Sequence, residues 1–229
     1  MTSLKHNQSF MYNCPPQFLP KNTAMQDIAN APIVSKSRPA KGERRLQILQ
    51  TLAEMLEQPA GDKITTAALA RQLDLSEAAL YRHFASKAQM FEGLIEFIET
   101  SLLGILNQIA QSDKSPAEQL KQMSRVLLAF ASKNPGMSRV LIGDALIGEH
   151  ERLQARVTQL IERLQATLKQ TLRDAALASE ITPHADLGVY SSILMNIVLG
   201  RWHQFVRSGF KNLPDTQIDD IWLALAWFK

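Results

Sequence analysis

Apolar residues recur at three- and four-residue steps along most of the chain from Gly42 onward, which is the spacing of amphipathic helices. The first such stripe consists of Leu46, Leu49, Leu52, Ala53 and Leu56. No stretch shows the convincing two-residue alternation of a strand, so the pattern predicts an all-α fold. The predicted helices cover 43–57, 66–73, 77–84, 87–111, 116–132, 135–147, 149–177, 183–208 and 214–228.

Several of these boundaries have start signals with a physical basis. "SKAQ" at 86–89 and "SPAE" at 115–118 fit the capping box, in which side chains satisfy the free N–H groups of a first turn. Asn134-Pro135 and Thr182-Pro183 each place a capping residue before a proline, which is tolerated at the first helical position.

The last two predicted helices have apolar faces wider than a solvent-facing helix needs. These faces include Leu187, Tyr190, Leu194, Ile197, Val198, Leu199, Trp202, Phe205, Val206, Ile218, Ile221, Trp222, Leu225, Trp227 and Phe228. Exposed apolar patches of that size seldom persist on a monomer. We therefore expect a homodimer through 183–228, although the same residues could instead complete the core of a single chain.

The N-terminal residues 1–40 contain several prolines, many polar residues and no hydrophobic period, which predicts a disordered, basic extension. Residues 1–45 have seven Lys or Arg against two acidic residues, a balance of +5, while the rest of the chain has 18 against 20, or −2. This uneven charge favours an anionic partner for one end of the chain. A solvated tail without a partner would show the same composition.

Composition and cysteine usage exclude several classes of protein. Hydrophobic residues make up 45% of the chain, enough for a packed core. The single cysteine, Cys14, excludes a disulfide framework and a cysteine-based zinc site, and it fits a reducing compartment. We find neither a secretory signal nor an apolar run of about 20 residues that would span a membrane, and so expect a cytoplasmic protein.

No catalytic motif or cofactor signature occurs in the sequence, so we expect neither an enzyme nor a bound cofactor or metal. His150 lies between Glu149 and Glu151, but consecutive residues point in different directions, and a solvated turn is the simpler interpretation. His203, next to Trp202, is expected in the core or in an interface.

The segment 65–87, "TTAALARQLDLSEAALYRHFASK", predicts two short helices joined by the tight turn Asp74-Leu75-Ser76. This arrangement is the helix-turn-helix, whose second helix enters the major groove of DNA. The residues expected to pack inward are Leu75, Ala79, Leu80 and Phe84. The residues expected to face outward are Glu77, Ala78, Tyr81 and Arg82.

The side chains expected to face outward are of the types that contact DNA. Ala78 can contact a thymine methyl group and Glu77 can accept a hydrogen bond from a cytosine amino group. Tyr81, His83 and Lys87 can donate to phosphates. The predicted DNA-binding residues are Arg44, Thr65, Thr66, Ser76, Glu77, Ala78, Tyr81, Arg82, His83 and Lys87. The alternative for Tyr81 and His83 is that they only hold the small domain together.

This stretch resembles the TetR family of DNA-binding proteins over about 43–95. The matching residues are Thr66, Ala70, Ser76, Tyr81, His83, Phe84 and Lys87. The resemblance implies a TetR-like fold, with a three-helix helix-turn-helix domain at 41–90 and a helical dimerisation and partner-binding domain at 91–229. Asp74 and Ala78 stand where glycine is frequent in the family, so Asp74 would have to adopt a positive φ or alter the turn.

Further blocks, such as "KNPGMSRVLIGDAL" and "ERLQARVTQLIERL", resemble the members of this family that act in nucleoid occlusion. The resemblance implies a dimer on palindromic sites in double-stranded DNA, associated with the nucleoid. When bound to DNA it would antagonise the tubulin-like cell-division GTPase. A ligand-responsive repressor is the alternative, and an enzyme or interaction bundle on the same fold is disfavoured by the helix-turn-helix chemistry.

The helix predicted at 87–111 has too many apolar residues for a single stripe, so either a neighbouring helix or a partner must cover the surplus. Phe97 lies off the Leu94–Ile98–Leu102 row and is the candidate for a partly exposed anchor, with a core phenylalanine as the alternative. Antiparallel pairing with the next helix would bring Lys133 and Asn134 near it. The resemblance implies that the GTPase docks on this two-helix surface.

Overall fold

The computed structural model describes residues 41–58, 64–181 and 186–225, and the part of the chain from Lys41 onward forms one compact unit. The predicted all-α fold is confirmed. The helices in the described part are α1 (Lys41–Leu56), α2 (Thr66–Gln72), α3 (Glu77–Tyr81), α4 (Lys87–Ala110), α5 (Pro116–Lys133), α6 (Pro135–Leu141), α7 (Arg152–Leu177), α8 (Leu187–Arg207) and α9 (Ile218–Leu225). The predicted extension at 1–40, the Thr182-Pro183 start and Phe228 lie outside the described residues.

Several predicted helices are too long, and those predicted at 183–208 and 214–228 begin at Leu187 and Ile218. Helix α3 ends at Tyr81 instead of 84, because residues 82–85 form the connection to Ser86, the extended N-cap of α4 with φ −157°. The helix predicted at 135–147 stops at Leu141, since Gly143 has φ 79° and a single 3₁₀ turn, Asp144–Leu146, follows. Helix α7 begins at Arg152 instead of 149, after Gly148 with φ 77°.

The predicted caps are confirmed in part. The side chains of Ser86 and Ser115 accept hydrogen bonds from the N–H groups three residues later, at 3.2 Å and 3.3 Å. The return bond at 86–89 differs from a capping box, because Gln89 Oε1 accepts from the N–H of Ala85 instead of Ser86, at 2.9 Å. Asn134 does not cap α6; its side-chain amide donates to the carbonyl of Phe130 at the end of α5, at 2.7 Å.

Helix α4 lies at the centre of the fold. Its residues Leu94, Ile95, Ile98, Leu102 and Leu106 are fully buried. Helices α1, α5, α6 and α7 all pack against it. The apolar surplus predicted for this helix is therefore covered mainly by its neighbours in the same chain.

Helices α1 and α6 approach each other very closely at Gly136. A Cβ atom at this position would come within 1.9 Å of the carbonyl oxygen of Ala53, so only glycine allows the contact. From α6, Arg139 Nη1 donates to the carbonyl oxygens of Leu56 at 3.2 Å and Gln58 at 3.4 Å, at the end of α1. These contacts attach the helix-turn-helix segment to the helices that follow it.

Helix α8 has a buried face and an exposed face. Leu194, Val198, Trp202 and Phe205 are buried, and the indole N–H of Trp202 donates to the carbonyl of Leu127 at 3.1 Å. The broad apolar stripe thus partly completes the core of one chain, the alternative considered above. The residues on the opposite face of α8 are Val189, Ile193, Asn196, Gly200 and His203, all exposed. Of the two positions expected for His203, the core of the chain is ruled out, and the interface stays a prediction.

Candidate nucleic-acid interface

Helices α2 and α3 form the predicted helix-turn-helix, and short-range bonds fix its turn. Thr65 caps α2 by accepting from the N–H of Ala68 at 3.1 Å, and Ser76 caps α3 by accepting from the N–H of Ala79 at 3.1 Å. Asp74 has φ 55°, which confirms that it adopts the left-handed conformation expected where the family often has glycine.

The outward residues of α3 lie as predicted, whereas two of the four residues expected to pack inward, Leu75 and Ala79, are only half-buried. Leu80 and Phe84 are buried, whereas Glu77, Ala78 and Arg82 are exposed, as is Tyr81 with 42% of its surface accessible. A small apolar residue, an acid, a phenol and a cation therefore share one surface. This combination can contact both base edges and phosphates.

A chain of hydrogen bonds joins the outward polar groups of α2 and α3. The hydroxyl of Thr66 donates to Glu77 Oε2 at 2.7 Å, and the hydroxyl of Tyr81 donates to Thr66 Oγ1 at 3.4 Å. Glu77 is therefore already engaged by α2, an interaction that the sequence did not indicate. The bonds hold Thr66 and Tyr81 side by side, so the surface is ordered before any partner arrives.

Arg45 is a positioning residue that sequence reasoning missed. Its Nη1 donates to the carbonyl oxygen of His83 at 3.0 Å, and its guanidinium carbon lies 4.0 Å from the centre of the Phe84 ring. The side chain of α1 thus fixes the connection that follows α3, where the half-buried His83 lies. Arg44, which the sequence did suggest, donates to Gln47 Oε1 of its own helix at 2.9 Å.

Lys87, the first residue of α4, forms an ion pair with Glu149 in the connection before α7. The ammonium nitrogen also lies 5.7 Å from the centre of the Phe91 ring. Lys87 was predicted to contact a phosphate, but its partner in this structure is a carboxylate that lies 62 residues further along the chain. No signal in the sequence connects these two positions.

The candidate partner residues lie on α4 and at the end of α5. Phe97 is half-buried, while Leu94, Ile98 and Leu102 on the adjacent row are fully buried, so the predicted partial exposure is confirmed. Lys133 is exposed and Asn134 is half-buried. Helices α4 and α5 are consecutive and packed together, joined by the short connection 111–115. Whether Phe97, Lys133 and Asn134 bind a partner stays a prediction.

Within the described ranges 41–58, 64–181 and 186–225, no group of three or more His, Cys, Asp or Glu side chains is arranged to hold a metal ion. His150 is exposed, as the solvated-turn interpretation requires. Within the same ranges, no helix has both the length and the apolarity needed to cross a bilayer.

Two family models match the chain. The model for bacterial regulatory proteins of the tetR family matches residues 48–94, which contain α2 and α3. A model described as the tetracyclin repressor-like C-terminal domain, of the SlmA-like type, matches residues 114–227.

Several proteins named nucleoid occlusion factor SlmA match most of the chain. The nucleoid occlusion factor SlmA of Shewanella pealeana is 50% identical over 182 residues, which cover 80% of this chain and 92% of the relative. SlmA of Alteromonas mediterranea is 48% identical over 184 residues, covering 80% and 94%. SlmA of Vibrio cholerae is 48% identical over 187 residues, covering 81% and 95%.

Solved structures show the same fold at low identity. A TetR transcription regulator from Haloarcula marismortui superposes with a TM-score of 0.70 at 17% identity, over 82% of this chain and all of that one (100%). The transcriptional regulator FadR from Bacillus subtilis superposes with a TM-score of 0.68 at 13% identity, over 79% and 97%. The expected TetR-like fold is confirmed.

Proposed function

Because this chain belongs to the SlmA family of nucleoid occlusion factors, within the TetR-type regulators, we propose that it binds palindromic chromosomal DNA as a dimer and inhibits division-ring assembly when bound. The observation that supports this most strongly is the identity of about half of the aligned residues, which extends well beyond the helix-turn-helix. A ligand-responsive repressor is less supported, because a shared DNA-binding segment alone would not give a match of that length. The family consists of DNA-binding regulators, and the chain is not an enzyme.

The DNA contact is assigned to α3 and to the start of α2. Ala78 and Glu77 would face base edges in the major groove, while Thr66, Tyr81, Arg82 and Lys87 would contact phosphates. The hydrogen bonds among Thr66, Glu77 and Tyr81 support this assignment, because an ordered polar surface loses less entropy on binding. Thr65, Ser76, His83 and Arg44 complete the proposed set.

The dimer contact is assigned to the outer face of α8. Val189 and Ile193 are 50% and 36% exposed, and a Cβ atom at Gly200 would meet no atom of the described residues within 4 Å. An apolar helix face with a glycine lets a second helix approach closely. A two-fold dimer formed here would present two α3 helices to half-sites about 34 Å apart.

The division GTPase is assigned to the surface formed by Phe97, Lys133 and Asn134. A half-buried aromatic residue is a typical anchor of a protein interface. Phe97 is on α4, whose first residue belongs to the proposed DNA surface, so a single helix connects the two proposed sites. Both the location of this site and the identity of its partner are inferred from the family membership and from the position of Phe97 on α4.

Overexpression followed by substitution of Phe97 tests the proposed function. The parent protein should produce filamentous cells with normally segregated nucleoids, because division is blocked. Phe97→Ala should restore division while its DNA affinity and melting temperature stay unchanged. Purified protein should disassemble polymers of the division GTPase only with DNA present, and Phe97→Ala should lack this activity in a light-scattering assay.

Leu103→Ala is the matched control, because Leu103 is also a half-buried apolar residue of α4 but lines the groove towards α7. It should behave like the parent protein. Normal division together with altered transcription would instead favour the repressor. Simultaneous loss of stability, DNA binding and inhibition in Phe97→Ala would place Phe97 in the core and the docking surface elsewhere.

A further inference from the structure

Two ion pairs connect the first turns of α4 to the segment around the start of α7. Lys87 pairs with Glu149, and Glu92, about one turn further along α4, accepts from Arg152 Nε at 2.7 Å. The charges are placed in opposite order in the two pairs, with the cation on α4 in the first and on α7 in the second. Only the first pair uses a residue of the proposed DNA surface.

The Lys87–Glu149 pair is largely shielded from water. The exposed fractions of the two side chains are 26% and 17%, compared with 49% and 34% for Arg152 and Glu92. Partial burial strengthens the attraction between opposite charges relative to a pair at the surface. Lys87 is therefore substantially neutralised in the structure without DNA.

We propose that Glu149 is a positioning residue that competes with the DNA phosphates for Lys87 and thereby lowers the DNA affinity of the protein. This inference rests on the proposed DNA contact of Lys87. A lysine held by a carboxylate contributes less to phosphate binding than an unpaired one, and the carboxylate itself repels the phosphate. To bind DNA through Lys87, the protein has to weaken the contact between α4 and the segment before α7.

Because Glu149 lies just before α7, this competition links the proposed DNA surface to the C-terminal helices. Glu149 lies in the connection between α6 and α7, which includes two glycines with positive φ, Gly143 and Gly148, and Ile147 with 74% of its surface exposed. Leu146 and Leu153, on either side of Glu149, are buried, so a movement that releases Lys87 is confined to the short stretch between them. DNA binding is thereby linked to the contact between α4 and this segment, while the Glu92–Arg152 pair needs no change.

Glu149→Gln is the test, because it removes the charge and keeps the size and hydrogen-bonding capacity of the side chain. The expected result is binding tighter by about 3- to 10-fold, measured by fluorescence anisotropy on a random-sequence duplex at fixed salt. Random sequence is sufficient, since phosphate contacts do not depend on the bases. Glu151→Gln is the matched control: Glu151 is exposed, has the same charge, and lies two residues away.

Two measurements separate competition from a general charge effect. Without the ammonium group only the repulsion between Glu149 and the phosphate remains, so Lys87→Ala and the double variant Lys87→Ala/Glu149→Gln should differ in affinity less than the parent and Glu149→Gln do. The plot of log affinity against log salt should become steeper in Glu149→Gln by up to about 0.9, because one further cation then neutralises a phosphate. A residue that only supports the fold would not change this slope.

Affinity that stays unchanged or falls in Glu149→Gln, with the melting temperature preserved, would overturn the inference. If that variant unfolds, Glu149→Asp replaces it, and its shorter side chain should give a smaller gain in affinity; no gain would equally overturn it. If the parent protein fails to bind any duplex, the proposed function itself is wrong. If the parent protein binds DNA normally and Glu149→Gln binds with the same affinity, only the proposed competition is refuted.

Discussion

On the α2–α3 surface most exposed side chains are polar, and several bond to one another or cap a helix, whereas the outer face of α8 exposes Val189, Ile193 and Gly200 together with Asn196 and His203. Thr66, Glu77 and Tyr81 hold each other in place across two helices. The apolar groups on α8 are exposed to water at a free-energy cost of about 25 cal/mol per Å². One surface is complete within the chain, while the other gains stability when a second surface covers it.

This difference explains why the two surfaces should tolerate substitution differently. A surface that is organised internally loses one contact when one group is removed, and the rest remains in position. On a surface that is stabilised by association, a single added charge can prevent the whole contact from forming, because burying an unpaired charge costs about 3–5 kcal/mol. The predictions below follow from this contrast.

The largest effect is expected for Ile193→Glu on the outer face of α8. The carboxylate would be buried without a partner in the proposed dimer, so the protein should be monomeric at micromolar concentration by light scattering. Affinity for a palindromic site should fall about 100-fold or more, since the second half-site contact is no longer intramolecular.

Leu177→Glu is the control for this prediction. Leu177 is 85% exposed at the end of α7, on a different helix from the proposed contact, and the same change there should leave the mass of the dimer unaltered. A dimeric Ile193→Glu, or a monomeric parent protein, would remove the outer face of α8 as the dimer contact. Trp222 is not a suitable probe, because it is only 6% exposed and its substitution would disturb the core of one chain.

The contrast between the surfaces also explains what the sequence could predict. Caps and turns depend on residues within a few positions of one another, so the cap at Ser76 and the turn at Asp74 were accessible from a single stretch, with a positive φ at Asp74 as one of two alternatives. The outward residues of α3 followed from the helical period once the turn was identified. These features required no knowledge of how the helices pack.

Contacts between distant parts of the chain could not be predicted in the same way. Arg45 reaches the carbonyl of His83 across 38 residues, and Lys87 reaches Glu149 across 62. Both depend on how α1 and the start of α7 are placed by the core. Similarly, the apolar residues of α8 gave a broad stripe, and only the packing shows that Trp202 is buried while Ile193 is exposed.

A smaller effect is expected for Tyr81→Phe on the α2–α3 surface. The substitution removes the hydroxyl group and keeps the ring, so binding to every duplex should weaken by about 10- to 100-fold, the loss of one hydrogen bond to a charged phosphate. The ranking of different sequences should not change, because phosphate contacts do not depend on the bases. Fluorescence anisotropy on several duplexes at one salt concentration measures both quantities.

Tyr190→Phe provides the same chemical change on α8 and should leave DNA affinity unaltered. If Tyr81→Phe binds like the parent protein, the hydroxyl of Tyr81 serves only its bond to Thr66. If the ranking of sequences changes, Tyr81 contacts bases, directly or through Glu77. Either result would revise the division of roles between phosphate and base contacts on this surface.

The smallest effect is expected at Asp74, which adopts φ 55° in the turn between α2 and α3. Alanine is less tolerant of this conformation than aspartate, so Asp74→Ala should lower the free energy of unfolding by about 1 kcal/mol. Asp74→Gly removes the backbone strain but gives the unfolded chain more freedom, and these opposing terms should leave stability within about 0.5 kcal/mol of the parent value. Urea unfolding at one protein concentration measures both variants, since dimerisation makes stability depend on concentration.

Asp74→Asn, which also tolerates positive φ, should match the parent. Equal stability of the alanine and glycine variants would show that the turn relaxes when the side chain changes. In that case, the α2–α3 surface would be held by its hydrogen bonds and not by the conformation of its turn.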